Sequence, residues 1–187
     1  MAESEVRAEP WSLLGAARVI GGYVWLEERL FEIVGGWVPS VPEPAVKLRF
    51  EADSHHHAWH ASLWRERLPA LREVEPDAFV APATPPLEQA LSSVAQSATT
   101  VERLVSVYRV LAPRLAVGYQ RHQERASAVA DGPTIRALDL VLADERRDWQ
   151  EGEALVQSVL TSSVDVAHAA AWQRRLESLL VGAAAFL

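Results

Sequence analysis

Apolar residues recur three and four positions apart along most of the chain. No stretch of useful length alternates, so the pattern predicts an all-α protein. The first helical run covers about 11–37, with Ile20, Tyr23, Val24, Glu27, Leu30, Phe31 and Val34 on one stripe. Gly35-Gly36, followed by Pro39, Pro42 and Pro44, ends it and makes a short connector. No Gly or Pro interrupts 45–68, which predicts a second helix ending near Pro69. Residues 69–86 carry Pro69, Pro76, Pro82, Pro85 and Pro86 and read as a long irregular segment. Loops of that length inside a compact domain serve as covers or crossovers. Its Leu71, Val74, Phe79 and Val80 predict that it lies against the helices.

A short helix is expected over 86–97, then a long one over 99–128. Val101, Leu104, Val105, Tyr108, Ala112, Leu115, Tyr119 and His122 form the stripe of the long one. Pro113 falls inside that run and predicts a kink. Asp131-Gly-Pro-Thr134 is a turn with a helix start, Asp131 or Thr134 serving as cap. The next helix spans about 135–160, its stripe formed by Leu138, Val141, Leu142, Glu145, Asp148, Trp149, Gly152, Leu155 and Val159. A last helix is expected over 164–187, weakened near its end by Gly182. Residues 1–10 are polar and are expected to form a flexible N-terminus, with 11–187 a single domain.

Against this apolar background a few polar positions stand out. Four of the six histidines fall between Asp53 and Trp64. Asp53, His57, His60 and Trp64 are spaced four, three and four apart and so share a helix face. Glu27 sits mid-stripe on the first helix, whereas Glu28 and Glu32 fall off it. Glu145 and Asp148 lie on the apolar face of the helix over 135–160. In an antiparallel bundle the middles of neighbouring helices lie at similar heights, so these groups can converge. An isolated carboxylate in an apolar core is costly, and the remedies are pairing or a metal. Two readings stay open: imidazoles and acids sharing a cation, or the same groups sharing protons. Glu27, His57, His60, Glu145 and Asp148 are the candidate ligands. His55 and His56 are expected to be solvated or to support the site from outside. Trp25, Trp59, Trp64 and Trp149 are expected in the core.

Composition narrows the field. The formal net charge is −7, which leaves no basic face to track phosphates and argues against nucleic-acid binding. There is no cysteine, so thiolate sites and cysteine nucleophiles are excluded. No apolar run approaches the roughly 20 residues of a membrane span. The N-terminus is too acidic for a secretory signal, and a cytoplasmic protein is expected. No serine elbow and no phosphate-cradling glycine loop is present. Leu179, Leu180, Val181, Phe186 and Leu187 make an apolar end able to pack on the bundle or, in a homodimer, on a second subunit.

The pattern resembles the ferritin-like superfamily. There, a Glu on each of two helices and a Glu-x-x-His on each of the other two hold a pair of metal ions. His57-Ala-Trp-His60 stands where the first Glu-x-x-His would be, and Glu145-Arg-Arg-Asp148 where the second would be. Glu27 matches the carboxylate of the first helix, and the similarity spans about 11–160. The resemblance implies an antiparallel four-helix bundle with an extra C-terminal helix. It implies iron or manganese, with zinc a weaker competitor, and an oxidoreductase that activates dioxygen toward a small-molecule substrate. The departures are specific. His57 replaces a Glu, Asp148 replaces a His, and the helix over 99–128 offers no mid-helix carboxylate. The altered set accordingly holds one metal, an unusual pair, or none. In the last case the bundle serves as a metal-free binding or scaffold module.

Overall fold

A computed structural model describes residues 11–181. The expectations for residues 1–10 and for the helix end at 182–187, with Phe186 and Leu187, lie outside the described residues. The described chain is all-helical, with six helices and no strand beyond a single bridge between Leu71 and Val74. None of the helices is long and apolar enough to cross a membrane.

Helix α1 runs Leu13–Trp37, opened by Ser12, whose hydroxyl accepts from the Gly15 amide. Helix α2 covers Pro44–Arg65, with Pro44 at its start where a missing N–H costs nothing. It stops three residues earlier than the sequence pattern suggests, and a turn carries the chain on to Pro69. Helix α3 is Pro85–Ala95, capped by Thr84. Helix α4 is one continuous run made of Thr100–Leu104, a π-helical stretch Val105–Leu111, and Ala112–Arg125. Helices α5 (Gly132–Val159) and α6 (Ser163–Leu180) complete the set. Capping boxes at Thr99/Glu102 and Ser162/Asp165 fix the starts of α4 and α6.

The expected irregularity at Pro113 takes the form of that π-helical stretch just before it. Pro113 has no N–H to return to the preceding turn, and the widened turn absorbs the mismatch.

Side-chain pairs fix the helix directions. Along α1 and α2, Tyr23 meets Trp64, Glu27 meets His57, and Trp37 meets Phe50, so the two are antiparallel. Helix α2 pairs His60 with Asp144, His56 with Asp148 and Arg49 with Glu151, and is antiparallel to α5. Helix α5 runs antiparallel to α4 through Arg109–Glu153 and Gln123–Asp139. Helix α4 returns to α1 through Tyr119–Glu27 and His122–Tyr23. Across the core, Phe50 faces Tyr108 and Trp64 faces Tyr119, so α2 and α4 are parallel. A parallel pair requires the chain to travel back the full helix length between them. Residues 66–99, including α3, make that crossover.

The crossover lies against α1 as its apolar residues suggested. At Gly21 an added Cβ would sit 2.0 Å from the Phe79 carbonyl oxygen, so glycine permits that close approach. Three expectations about burial fail. Phe31 is 45 % exposed, Trp59 41 % and Trp149 42 %. Trp59 and Trp149 each sit one position along from a buried polar residue of the same helix, and Phe31 one along from buried Leu30, so counting by threes and fours set the stripe too wide. Trp64, by contrast, is fully buried.

Candidate metal centre

Two aromatic layers bracket the middle of the core. On one side lie Trp37, Phe50 and Tyr108, and on the other Tyr23, Trp64 and Tyr119. Between them the helices place acids and imidazoles. Glu27 and His60 are completely buried, and His57 and Glu145 nearly so. One donor atom from each of these four lies within 4.8 Å of the others, close enough to hold a metal ion.

The contacts within this group differ in kind. His57 Nδ1 donates to Glu27 Oε2 at 2.6 Å. The Tyr119 hydroxyl donates to the other oxygen of Glu27. His60 Nε2 faces Asp144 Oδ2 at 3.4 Å. On its inner side, His60 Nδ1 stands 3.6 Å from Glu27 Oε1 and 3.7 Å from Glu145 Oε1. It is buried and has no hydrogen-bond partner. A buried imidazole nitrogen without a partner is costly. This one is aimed between two carboxylates, where the four groups could hold a metal ion.

A second group lies beside the first. Asp53, His56 and Asp148 also bring donor atoms within 4.8 Å of one another. Asp148 therefore joins a different set from Glu27, His57, His60 and Glu145. Its Oδ2 meets His56 Nδ1 at 2.6 Å, and its Oδ1 meets Arg49 Nη2 at 3.0 Å. Arg49 also pairs with Asp53 Oδ1 and with Glu151, and the Tyr108 hydroxyl donates to Asp53 Oδ2. The separation follows from helix geometry. Asp53 and His60 are seven residues apart on α2, or about 10 Å along the axis. A cavity of about 10 Å³ runs between the groups, bordered by Asp53, His57, Tyr108, Glu145 and Asp148. It has room for about one water-sized occupant.

Electrostatics set the first group apart. Burial pushes the Glu27 carboxyl up, but the charges of His57 and His60 more than reverse this and hold it at about 2. Burial, then the Glu27 charge, push Glu145 up to about 8. Burial disfavours the charged forms of His57 and His60, yet the Glu27 carboxylate raises both, His60 to about 10. The group on its own thus balances its acids with protons. Two carboxylates with two neutral imidazoles would balance a divalent cation equally well.

The sequence pattern identified Glu27, His57, His60 and Glu145, and the structure brings them together. It did not identify Arg49, Asp144 or the bond from Tyr119 to Glu27. Arg49 carried one signal, its place four residues before Asp53 on the same helix face. Asp144 carried none, being off the apolar stripe. His55 is exposed, as expected, and half-buried His56 supports Asp148. His122 lies away from the group, against Tyr23 and Trp11. Comparison with protein-family models, with curated proteins and with solved structures finds no match.

Proposed function

We propose that this chain is a ferritin-like helical protein whose Glu27, His57, His60 and Glu145 hold a single iron or manganese ion for redox chemistry. The observation that carries the reading is His60 Nδ1, buried without a partner between Glu27 and Glu145. The helix order supports the fold assignment. Two antiparallel pairs joined by one long crossover is the connectivity of ferritin-like bundles. Two imidazoles and two carboxylates suit iron and manganese, and they suit zinc when four-coordinate. A bound redox metal would supply one-electron chemistry toward dioxygen or peroxide.

The chain's own residues have distinct tasks in this reading. Glu27 and Glu145 neutralise the cation. Asp144 bonds the outer nitrogen of His60 and so turns the inner one toward the centre. Tyr119 fixes one oxygen of Glu27. The aromatic layers exclude bulk water, which strengthens every charge interaction inside. The cavity beside the centre is far smaller than the roughly 300 Å³ that a drug-sized ligand needs. In this conformation it admits a reactant the size of water or dioxygen.

One observation favours the metal-free scaffold. Glu27 already has both oxygens bonded, by His57 and Tyr119, so a cation must displace the His57 proton. Elemental analysis of protein from cells supplied with both iron and manganese decides. The expected result is about one transition-metal ion per chain, lost in His60→Ala. A folded protein with no bound metal, unchanged by that substitution, would establish the scaffold instead.

A further inference from the structure

The second group differs from the first in one respect that bears on metal count. Every carboxylate oxygen in it already faces a donor or a permanent cation, Asp53 Oδ1 through its ion pair with Arg49 alone, without a hydrogen bond. Asp53 is held by Arg49 and Tyr108, and Asp148 by Arg49 and His56. The guanidinium is itself largely shielded, with 10 % of the side chain exposed. It reaches both aspartates through the same nitrogen, Nη2. A single positive group thus occupies the centre of the second set of donors.

We propose that Arg49 is a built-in cation that fills the second metal position, making this a one-metal centre. The inference rests on the assignment of Glu27, His57, His60 and Glu145 to the first ion. Its physical basis is charge and space. Two adjacent buried carboxylates need a counter-charge, and a guanidinium supplies it permanently because it does not lose its proton. A divalent ion entering between Asp53 and Asp148 would have to expel Arg49 or bury a like charge beside it. The neighbouring cavity of about 10 Å³ cannot hold a displaced guanidinium. Arginine also enters by its own backbone, at no dependence on metal supply. Asp53, His56 and Asp148 are then positioning residues, which set the wall of the centre and its charge without touching the ion.

Removing the guanidinium should therefore create a metal site. Protein stripped with chelator is titrated with manganese(II) alone, desalted, and assayed for bound metal per chain. Wild type is expected to retain about one ion and Arg49→Met about two, a twofold rise. Arg49→Lys keeps a cation and should stay at about one, as should the double variant Arg49→Met/Asp53→Asn. Two ions in wild type, or no gain in a folded Arg49→Met, overturns the inference. Wild type binding none refutes the first centre, and the Arg49 inference then stands or falls on a gain of one ion in Arg49→Met. Should Arg49→Met not fold, Asp53→Asn in the wild-type background decides. Unchanged metal content supports the inference, and loss of an ion overturns it.

Discussion

His60 turns one nitrogen outward to Asp144 at 3.4 Å and the other inward, between Glu27 and Glu145, with no hydrogen bond. Opposite faces of one ring are thereby treated differently. In the proposed metal-bound state, the outer carboxylate would select the tautomer and orientation that leave the inner nitrogen free to bind the cation. Asp144→Asn should weaken that control and lower metal affinity about 10–100-fold while leaving the helices intact. Asp139, on the same helix and bonded to Gln123, is the control. Equal affinities for Asp144→Asn, Asp139→Asn and wild type in a competition titration would discard the orienting role.

Tyr119 donates to a carboxylate that has no access to water. Phenylalanine at this position keeps the packing against Tyr23 and Trp64 and removes only the hydroxyl. Tyr119→Phe is expected to cost about 1.5–3 kcal/mol, since a charged acceptor loses its donor. Urea unfolding of the metal-free protein measures it. A cost below about 0.5 kcal/mol would show that Glu27 finds another donor.

Gly152 and Gly36 are both helical, and they should respond in opposite directions to alanine. A Cβ at Gly152 would lie 2.1 Å from the Tyr108 ring. That ring is fixed by Phe50 and by its bond to Asp53, so it cannot yield cheaply. Gly152→Ala should destabilise by about 1–3 kcal/mol through overpacking between α4 and α5. Gly36 has open space where a Cβ would go, and Gly36→Ala should stabilise by roughly 0.5–1 kcal/mol. Thermal unfolding of both variants tests the close approach, and matching shifts would contradict it.

His122 makes stability depend on mild acid. Burial lowers its pKa from 6.5 to about 4, with Asp131 opposing and Arg125 assisting. Between those values the unfolded chain takes up a proton that the folded chain refuses. The effect is absent above the unfolded value and grows as pH falls toward 4, reaching at most about 3 kcal/mol. Stability measured at pH 7 and at pH 4.5 should drop less in His122→Gln than in wild type. Parallel losses would mean that His122 protonates freely in the folded state.

The histidine face of α2 was legible because helical spacing alone places Asp53, His57, His60 and Trp64 together. Glu27 and Glu145 were legible as acids in otherwise apolar stripes. Asp148 shows where such reading stops. Three residues after Glu145 it shares the stripe, yet helix rise and rotation carry it to the neighbouring group. Arg49 was one of many arginines, and its partners Asp148 and Glu151 lie 99 and 102 positions away in sequence. No local pattern encodes a contact of that separation.

By itself the sequence determined the helices, the centre of each buried face though not its edges, and most of the acids and imidazoles that had to find partners. Those follow from periodicity and from the cost of burying charge, both local properties of the chain. Only the tertiary structure decided how the partners were shared. Four groups converge around an unbonded imidazole nitrogen, while two aspartates close around a guanidinium. That division depends on the relative heights and rotations of α1, α2, α4 and α5, which packing across the core sets and no single helix specifies.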